Sequence, residues 1–393
     1  MLQLVEALAL DLIWLNKLST SFYSDSNLVT EILKYQIALT LIPGIGDIVG
    51  KKLVSYCGGV EAIFSESRNA LLKIPGIGNA TVNSILSQKV LHKAESEIAF
   101  INANNIQPLF YTDKEYPARL LNCDDNPLLL YYKGNANLNT SRVIAFVGTR
   151  KATNQGRAIC EQFIEELKTK EILVISGLAY GIDSYAHKAA LANDLQTVGV
   201  LGHGLDRIYP AQNRKLAATM INNGGLLTEF TSKTIPDREN FPKRNRIVAG
   251  LCDAIVVIES AKKGGALITA GIANSYNRDV FAVPGRINDE YSAGCNMLIK
   301  TNRAALAESA KDIAYIMGWD DMKVNVKKQR DLFLELTVEQ QLIFDIINET
   351  KEISIDKLVI KSGLPASKVA SALLMLEFEG MIQSLPGKLY KVF

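Results

Sequence analysis

Between residues 142 and 303, short apolar runs alternate with helix-patterned stretches. This alternation restricts the fold more than any other feature of the chain. The runs are Val143–Val147, Ile172–Ile175, Thr197–Leu201, Gly225–Glu229, Ala254–Ile258 and Val280–Val283. The stretches between them read as helices over Asn154–Lys168, Ile182–Ala192, Ala211–Ile221 and Ala266–Tyr276. Strands that are apolar along their whole length are buried on both faces, as in a parallel sheet covered by helices on both sides. The expected class is α/β with a Rossmann-like parallel sheet core. Such sheets bind ligands at the carboxyl ends of their strands. Here those ends carry Gly148-Thr-Arg150, Ser176-Gly177, Gly202-His-Gly204, Glu259-Ser260 and Pro284-Gly285.

One interval is strongly basic. Phe241-Pro-Lys-Arg-Asn-Arg-Ile-Val-Ala-Gly250 places Lys243, Arg244 and Arg246 within four residues, and Arg238 stands just before it. An apolar continuation makes this the start of a buried helix. Cations at such a start are costly without an anion, and a helix N-terminus itself favours one. Arginine suits phosphate because its planar fork donates two hydrogen bonds. Cations that follow phosphates, with an aromatic such as Phe241 on which a base can stack, are what single-stranded nucleic acid requires.

The flanks differ in character. Leu41-Ile-Pro-Gly-Ile-Gly46 recurs as Lys73-Ile-Pro-Gly-Ile-Gly78, each copy followed by an apolar helical stretch, Ile48–Tyr56 and Ala80–Leu91. Glycine accepts positive φ, so each Pro-Gly-x-Gly turns tightly between two helices and aims backbone N–H groups at one point. The pair is similar to the helix-hairpin-helix motif, which implies contact with a nucleic-acid backbone. Asp47 and Asn79 stand where a basic residue would strengthen that contact. Residues 92–141 read as a connector containing strands Ile106–Tyr111 and Leu128–Tyr132. Residues 304–330 read as a charged linker of low order. Beyond it, helices over Leu336–Glu349, Ile355–Lys361 and Ala366–Gly380, then a hairpin turning at Pro386-Gly387, form the pattern of a winged helix. The third of these helices carries Lys368 against Glu377 and Glu379. The expected domains are 1–95 (helical, SAM-like), 96–305 (Rossmann-like), a 306–332 linker and 333–393 (winged helix).

Several function classes are disfavoured. The net charge of +2 gives no bulk attraction to polyanions, so binding must come from local clusters. Five cysteines without C-x-x-C spacing and three histidines argue against zinc, and scattered cysteines suit a reducing, cytoplasmic setting. Met1–Leu10 is too short to span a membrane, and Glu6 interrupts it, so a peripheral helix or extension is expected there. The stretch around Gly50-Lys51-Lys52 fails as a P-loop, and Gly202-His-Gly-Leu-Asp-Arg207 lacks the third glycine of a dinucleotide fingerprint. Ser176, Asp183 and His187 lack a nucleophile elbow, so Asp183 and His187 are expected to pair structurally. His203 reads as a turn residue or ligand contact. The enzyme alternative is a Rossmann-like nucleotide phosphoribohydrolase. Lys263-Gly-Gly-Ala-Leu-Ile-Thr-Ala270 resembles the motif of such enzymes but lacks its catalytic Glu.

Taken in order, Gly148-Thr-Arg150, Ser176-Gly-Leu-Ala-Tyr-Gly-Ile-Asp183, Gly202-His-Gly-Leu-Asp-Arg-Ile-Tyr-Pro210, the basic block, Gly264-Gly-Ala-Leu-Ile-Thr-Ala270 and Phe281-Ala-Val-Pro-Gly285 resemble the DNA-processing protein A (DprA/Smf) family. The resemblance covers roughly residues 100–303 and extends to the flanking domains. It implies a cytoplasmic, dimeric protein of natural transformation that binds and protects single-stranded DNA. It also implies loading of RecA recombinase and displacement of single-strand binding protein. No turnover, cofactor, metal or membrane is implied. The candidate DNA-binding set is Gly148, Thr149, Arg150, Gly177, Arg238, Phe241, Lys243, Arg244, Asn245, Arg246, Gly264 and Gly265. Among the departures from the family pattern, Asn302 occupies a frequent glycine position.

Overall fold

The computed structural model describes residues 30–87, 89–319, 336–385 and 389–392. The chain divides into two compact units, Met1–Asp321 and Met322–Phe393. Readings for Met1–Leu10, for the charged stretch 323–330 and for the Pro386-Gly387 turn lie outside the described residues.

The first unit is built on one nine-stranded sheet. Its strands are β1 (Gln107–Phe110), β2 (Leu129–Gly134), β3 (Val143–Val147), β4 (Leu173–Ser176), β5 (Thr197–Val200), β6 (Gly224–Thr228), β7 (Ala254–Val257), β8 (Asp279–Ala282) and β9 (Ala305–Leu306). They lie in the order β1-β2-β6-β5-β4-β3-β7-β8-β9. Every pair from β6 to β9 is parallel, as the unbroken apolar runs require. The two connector strands join the same sheet as an antiparallel edge, which apolarity alone does not reveal.

Strand parity divides the core. Val143, Ala145 and Val147 of β3 face the cluster that holds Ile247, Val248, Leu251, Ala266 and Ala270. Ile144 and Phe146 face the opposite cluster, with Cys160, Phe163, Ile164, Ile182 and Ala186. Successive side chains of a strand point to opposite faces, so one short strand anchors helices on both sides. Proceeding from β3, the chain adds β4, β5 and β6 on one side and then returns to add β7, β8 and β9 on the other. The order therefore reverses between the carboxyl ends of β3 and β7, where a doubly wound sheet opens a crevice.

The helical hairpins precede the sheet. Residues 30–41 are helical, followed by helices Asp47–Cys57, Val60–Ser65, Arg68–Leu72 and Asn79–Leu86. Gly44 and Gly76 both turn at φ +84, the left-handed region that the repeated motif demands. The second repeat's helix stops at Leu86, and a separate helix, Leu91–Ala103, occupies what was expected to be connector. It buries Ala94, Glu97, Ile98 and Ile101, a helical spacing that runs across the expected boundary at 95. The core of the hairpins continues without a break into Phe110, Leu128, Leu129 and Tyr131.

The linker expectation is also corrected for residues 306–319. β9 pairs with β8, and helix Ala310–Ile316 starts with a capping box between Ser309 and Asp312. Ile313, Ala314 and Trp319 pack against the sheet. Asn302 adopts φ 54, so the left-handed turn survives without glycine.

The second unit contains helices Val338–Thr350, Ile355–Ser362 and Ala366–Phe378. A three-stranded antiparallel sheet completes it, with β10 (Ile353–Ser354), β11 (Ile382–Leu385) and β12 (Leu389–Val392) in the order β10-β12-β11. Ile343, Ile347, Leu358, Val369, Leu373 and Leu376 form its core. This is a winged helix. Lys368 of the third helix is paired with Glu339 at 2.6 Å. Among the described residues, no single helix is long and apolar enough to cross a membrane.

Candidate nucleic-acid interface

The crevice at the reversal point is a cleft of about 500 Å³. Three strand ends supply its wall. β3 runs into Gly148-Thr149-Arg150, β4 into Gly177 and β7 into Ser260-Ala261. The Thr149 amide donates to the Glu259 carbonyl at 2.8 Å, and the Thr149 carbonyl accepts from the Ile182 amide at 3.3 Å. Those bonds fix the turn that presents Arg150. Gly181 must be glycine here, because it sits at φ +77 and a Cβ would lie 2.2 Å from the Thr149 carbonyl oxygen.

Two helix starts complete the cleft. Helix Gly265–Ser275 begins at Gly264 without a side-chain cap, and Gly264, Gly265 and Ala266 line the cavity. Helix Asn240–Leu251 likewise starts without a side-chain cap and contributes Phe241, Pro242, Arg244, Asn245 and Val248. Uncapped N-termini leave backbone donors and a positive dipole end facing the same space.

Arg244 is the buried cation of the site, only 5% exposed. Its Nη1 donates to the Val200 carbonyl at 2.8 Å, and its Nε has no partner among the described residues. A Cβ on Gly177 would sit 1.7 Å from that Nη1, so the absent side chain is what admits the guanidinium. Burial pushes the Arg244 pKa down, Asp183 pushes it back up, and neighbouring Arg150 pushes it down again. Burial raises the Asp183 carboxyl, and Arg244 is the largest effect opposing that rise. Desolvation thus outweighs the mutual attraction on both partners. The cleft is lined by Arg150, Lys151, Arg238 and Arg244, with Asp183 the one carboxylate among its lining residues, so the site carries net positive charge.

Arg150 is exposed, and its guanidinium carbon lies 4.9 Å from the centroid of the Phe241 ring. The Tyr209 ring lies tilted to the Phe241 ring, with centroids 6.4 Å apart. A smaller recess adjoining the cleft is lined by Tyr180, Leu201, Gly202, His203, Tyr209, Pro210 and Phe241. The aromatic side chains of Tyr180 and Tyr209 are solvent-accessible. Tyr180, Tyr209, Lys151, Ser260, Ile268 and Thr269 were not among the candidates, since nothing in sequence spacing joins them to the basic block.

The structure brings together Gly148, Thr149, Arg150, Gly177, Arg238, Phe241, Arg244, Asn245, Gly264 and Gly265. Lys243 and Arg246 lie outside the cleft lining. At roughly 100° per residue, positions 241, 244, 245 and 248 share one arc of the helix while 243 and 246 fall on the other. Helical periodicity was thus the signal that separated them. Arg246 instead meets Asp47 at 3.0 Å, Glu229 and the Asp125 carbonyl.

The remaining polar groups are committed locally. The expected Asp183–His187 pair is not formed. His187 Nδ1 meets Thr197 Oγ1 at 2.7 Å, and burial lowers the ring's pKa to about 3, leaving it neutral. Asp183 turns instead toward the Ala179 amide, at 3.4 Å, and toward Arg244. The two residues are a helical turn apart, but Thr197 on the adjacent strand is nearer the ring. His203 holds a turn, with Nδ1 at 2.9 Å from the Gly204 carbonyl and Nε2 accepting from the Tyr209 amide. Ser176 Oγ donates to the Phe146 carbonyl at 2.6 Å. Glu259 holds Thr153, the N-cap of helix Asn154–Leu167, by accepting from its amide at 2.9 Å and its hydroxyl at 2.5 Å. No group of three metal-ligating residues occurs among the described residues.

Known proteins share this architecture. The profile described as DNA recombination-mediator protein A matches residues 107–318. A DprA winged-helix profile matches 334–388 and a SAM-like helix-hairpin-helix tandem matches 37–88. Protein Smf of Synechocystis is 30% identical over 390 residues, covering 91% of this chain and 98% of that protein. DNA processing protein DprA of Streptococcus pneumoniae is 42% identical over 201 residues, covering 51% of this chain and 71% of that protein. The X-ray structure of the Streptococcus pneumoniae protein superposes with a TM-score of 0.61 at 34% identity, over 73% of this chain and 96% of that one. A Helicobacter pylori structure, described as revealing a single-stranded DNA binding mode of DNA processing protein A, superposes with a TM-score of 0.50 at 27% identity, over 55% of this chain and 96% of that one. The chain therefore belongs to the DNA recombination-mediator protein A family, whose members carry the names DprA and Smf.

Proposed function

We propose that this chain is a single-stranded DNA-binding protein that holds the strand in the cleft between β3 and β7. The observation that carries this reading is the pairing of Arg150 and Arg244 beside Phe241, with a guanidinium donor of Arg244 left unpartnered. An anion at that point satisfies the donor and relieves the repulsion between the two cations. Phosphates enter over Arg150, Arg238 and Arg244, and the backbone amides at Gly264 and Gly265 extend the same anion surface. A base stacks on Phe241 when the Arg150 guanidinium gives up its place on the ring. Duplex DNA keeps its bases stacked internally and cannot use that ring, so the strand is single. Lys243 and Arg246 are not part of this contact set. Lys368 is not either, since the one cation of the third winged helix is already paired.

The wider role we assign follows from family membership and from the Helicobacter pylori relative described as binding single-stranded DNA. It is cytoplasmic handling of strands taken up in natural transformation. The chain acts as a homodimer that protects the strand, displaces single-strand binding protein and loads RecA recombinase. The reading involves no bond-breaking step and no cofactor. The phosphoribohydrolase alternative is disfavoured because the motif lacks its Glu, and Glu259 at the end of β7 is occupied by the Thr153 amide and hydroxyl.

Phe241 tests the site directly. Phe241→Ala is expected to weaken binding of an oligo-dT strand roughly 5- to 150-fold, the loss of one base–aromatic stack. Phe241→Trp is expected to retain binding. Fluorescence anisotropy at fixed salt measures both. If Phe241→Ala lowers Tm without changing affinity, the ring only anchors its helix and the base-stacking assignment is wrong.

A further inference from the structure

The first helical hairpin reaches into the machinery of the cleft. Asp47 opens helix Asp47–Cys57 and uses both carboxylate oxygens on the sheet unit. Oδ1 accepts from the Leu128 amide at 2.8 Å, and Oδ2 meets Arg246 at 3.0 Å. Lys51, one turn on, donates to the Asn126 side chain and lies 3.4 Å from the Asp124 carbonyl. A Cβ on Gly50 would fall 2.3 Å from Leu128 Cδ1, so the helix lies flush against that segment. Arg246 is mostly buried, and it also holds Glu229 and the Asp125 carbonyl. It belongs to the same helix as Phe241, Arg244 and Asn245, on the face turned away from the cleft. The second hairpin has no counterpart to this arrangement. Asn79 takes Asp47's place there and accepts from Arg68 at 2.7 Å, within the hairpin region itself.

We propose that Asp47 is a positioning residue for the cleft. Through Arg246 it fixes the register of helix Asn240–Leu251 and so the placement of Phe241 and Arg244. The first hairpin is accordingly a joint to the sheet, and not a nucleic-acid contact. This inference rests on the cleft being the strand-binding site.

The sign of one substitution separates the alternatives. An acidic residue near bound DNA repels it, so its removal tightens binding. A positioning acid behaves in the opposite way. In the full-length chain, Asp47→Ala is expected to weaken oligo-dT binding about five- to twentyfold, at a temperature well below Tm. Arg246→Ala should do the same, and the double variant should be no weaker than the worse single one. Asp47→Asn keeps one acceptor, for the Leu128 amide or for Arg246 but not for both, and should restore only part of the affinity. Should Asp47→Ala not fold, the Asn variant combined with Arg246→Ala carries the same test. Hydrogen exchange without DNA supplies a second readout, with faster exchange expected at the amides of residues 243–246 in Asp47→Ala. If wild type fails to bind oligo-dT, the cleft assignment is wrong, and the exchange data still decide the joint. Unchanged or tighter binding by Asp47→Ala, with unchanged exchange, would overturn the proposal.

Discussion

Arg150→Glu is expected to cut affinity for single-stranded DNA by at least about 100-fold while the fold survives. Each charge-assisted contact to phosphate contributes about 1.5–3 kcal/mol, and reversal replaces an attraction with a repulsion. Arg150 is exposed and its recorded partner is the face of Phe241, so the stability cost is that of one cation–π contact, roughly 0.5–1 kcal/mol. The salt dependence should change as well. Losing one phosphate contact lowers the slope of log K against log salt by about 1. Anisotropy titrations at several salt concentrations report both quantities, and thermal melting confirms the fold. An Arg150→Glu chain that binds like wild type at every salt concentration would remove the cleft from consideration.

The second large effect concerns stability. Arg244→Met should destabilise the chain by about 1–3 kcal/mol, because it removes the bond to the Val200 carbonyl and leaves Asp183 buried without the nearby positive charge that offsets it. The loss should depend on pH. Burial already raises the Asp183 carboxyl, and Arg244 is the main effect holding it down. In Arg244→Met the folded-state pKa rises further above the unfolded value near 3.9. A group of that kind stabilises the fold at low pH, and its contribution is lost as pH rises through the folded pKa. The variant should therefore be closest to wild type near pH 5 and furthest from it near pH 8. Urea unfolding at both values measures this. A pH-independent difference would mean that Asp183 is not the carboxylate Arg244 neutralises. DNA binding should be weakened at both pH values, because Arg150 and Arg238 then hold the phosphates without the buried guanidinium.

The difference between these two arginines could not be read from sequence. Both lie in basic or glycine-flanked motifs, yet one is a surface cation stacked on a ring and the other is a buried cation admitted by Gly177. Six of the seven parallel strands were legible because a strand buried on both faces must be largely apolar, whereas the two-residue β9 was not. The binding edge followed from them, since polar and glycine residues concentrate at the strand ends. The antiparallel edge formed by β1 and β2 was not legible, because an apolar strand does not name its neighbour. Helix Leu91–Ala103 was missed although Ala94, Ile98 and Ile101 recur at helical spacing. Glu97 breaks that stripe, and it is buried because it accepts from the Ser232 amide and hydroxyl far along the chain. Arg246 was misread for the same reason. Clustering in sequence suggested a shared target, whereas helical geometry turned it toward Asp47 and Glu229. In each case the decisive partner lies on a different element of the fold, which spacing within one motif does not reveal.

The central claim is that the cleft holds a single strand by phosphate contacts and base stacking together. It is tested most directly by gel shift of the full-length chain against one sequence offered as a single strand and as a duplex, at one fixed salt concentration. The account predicts tighter binding of the single strand by at least about fivefold, the minimum expected from one base–aromatic stack that a duplex cannot make. Equal affinity for the two forms, or preference for the duplex, would contradict it.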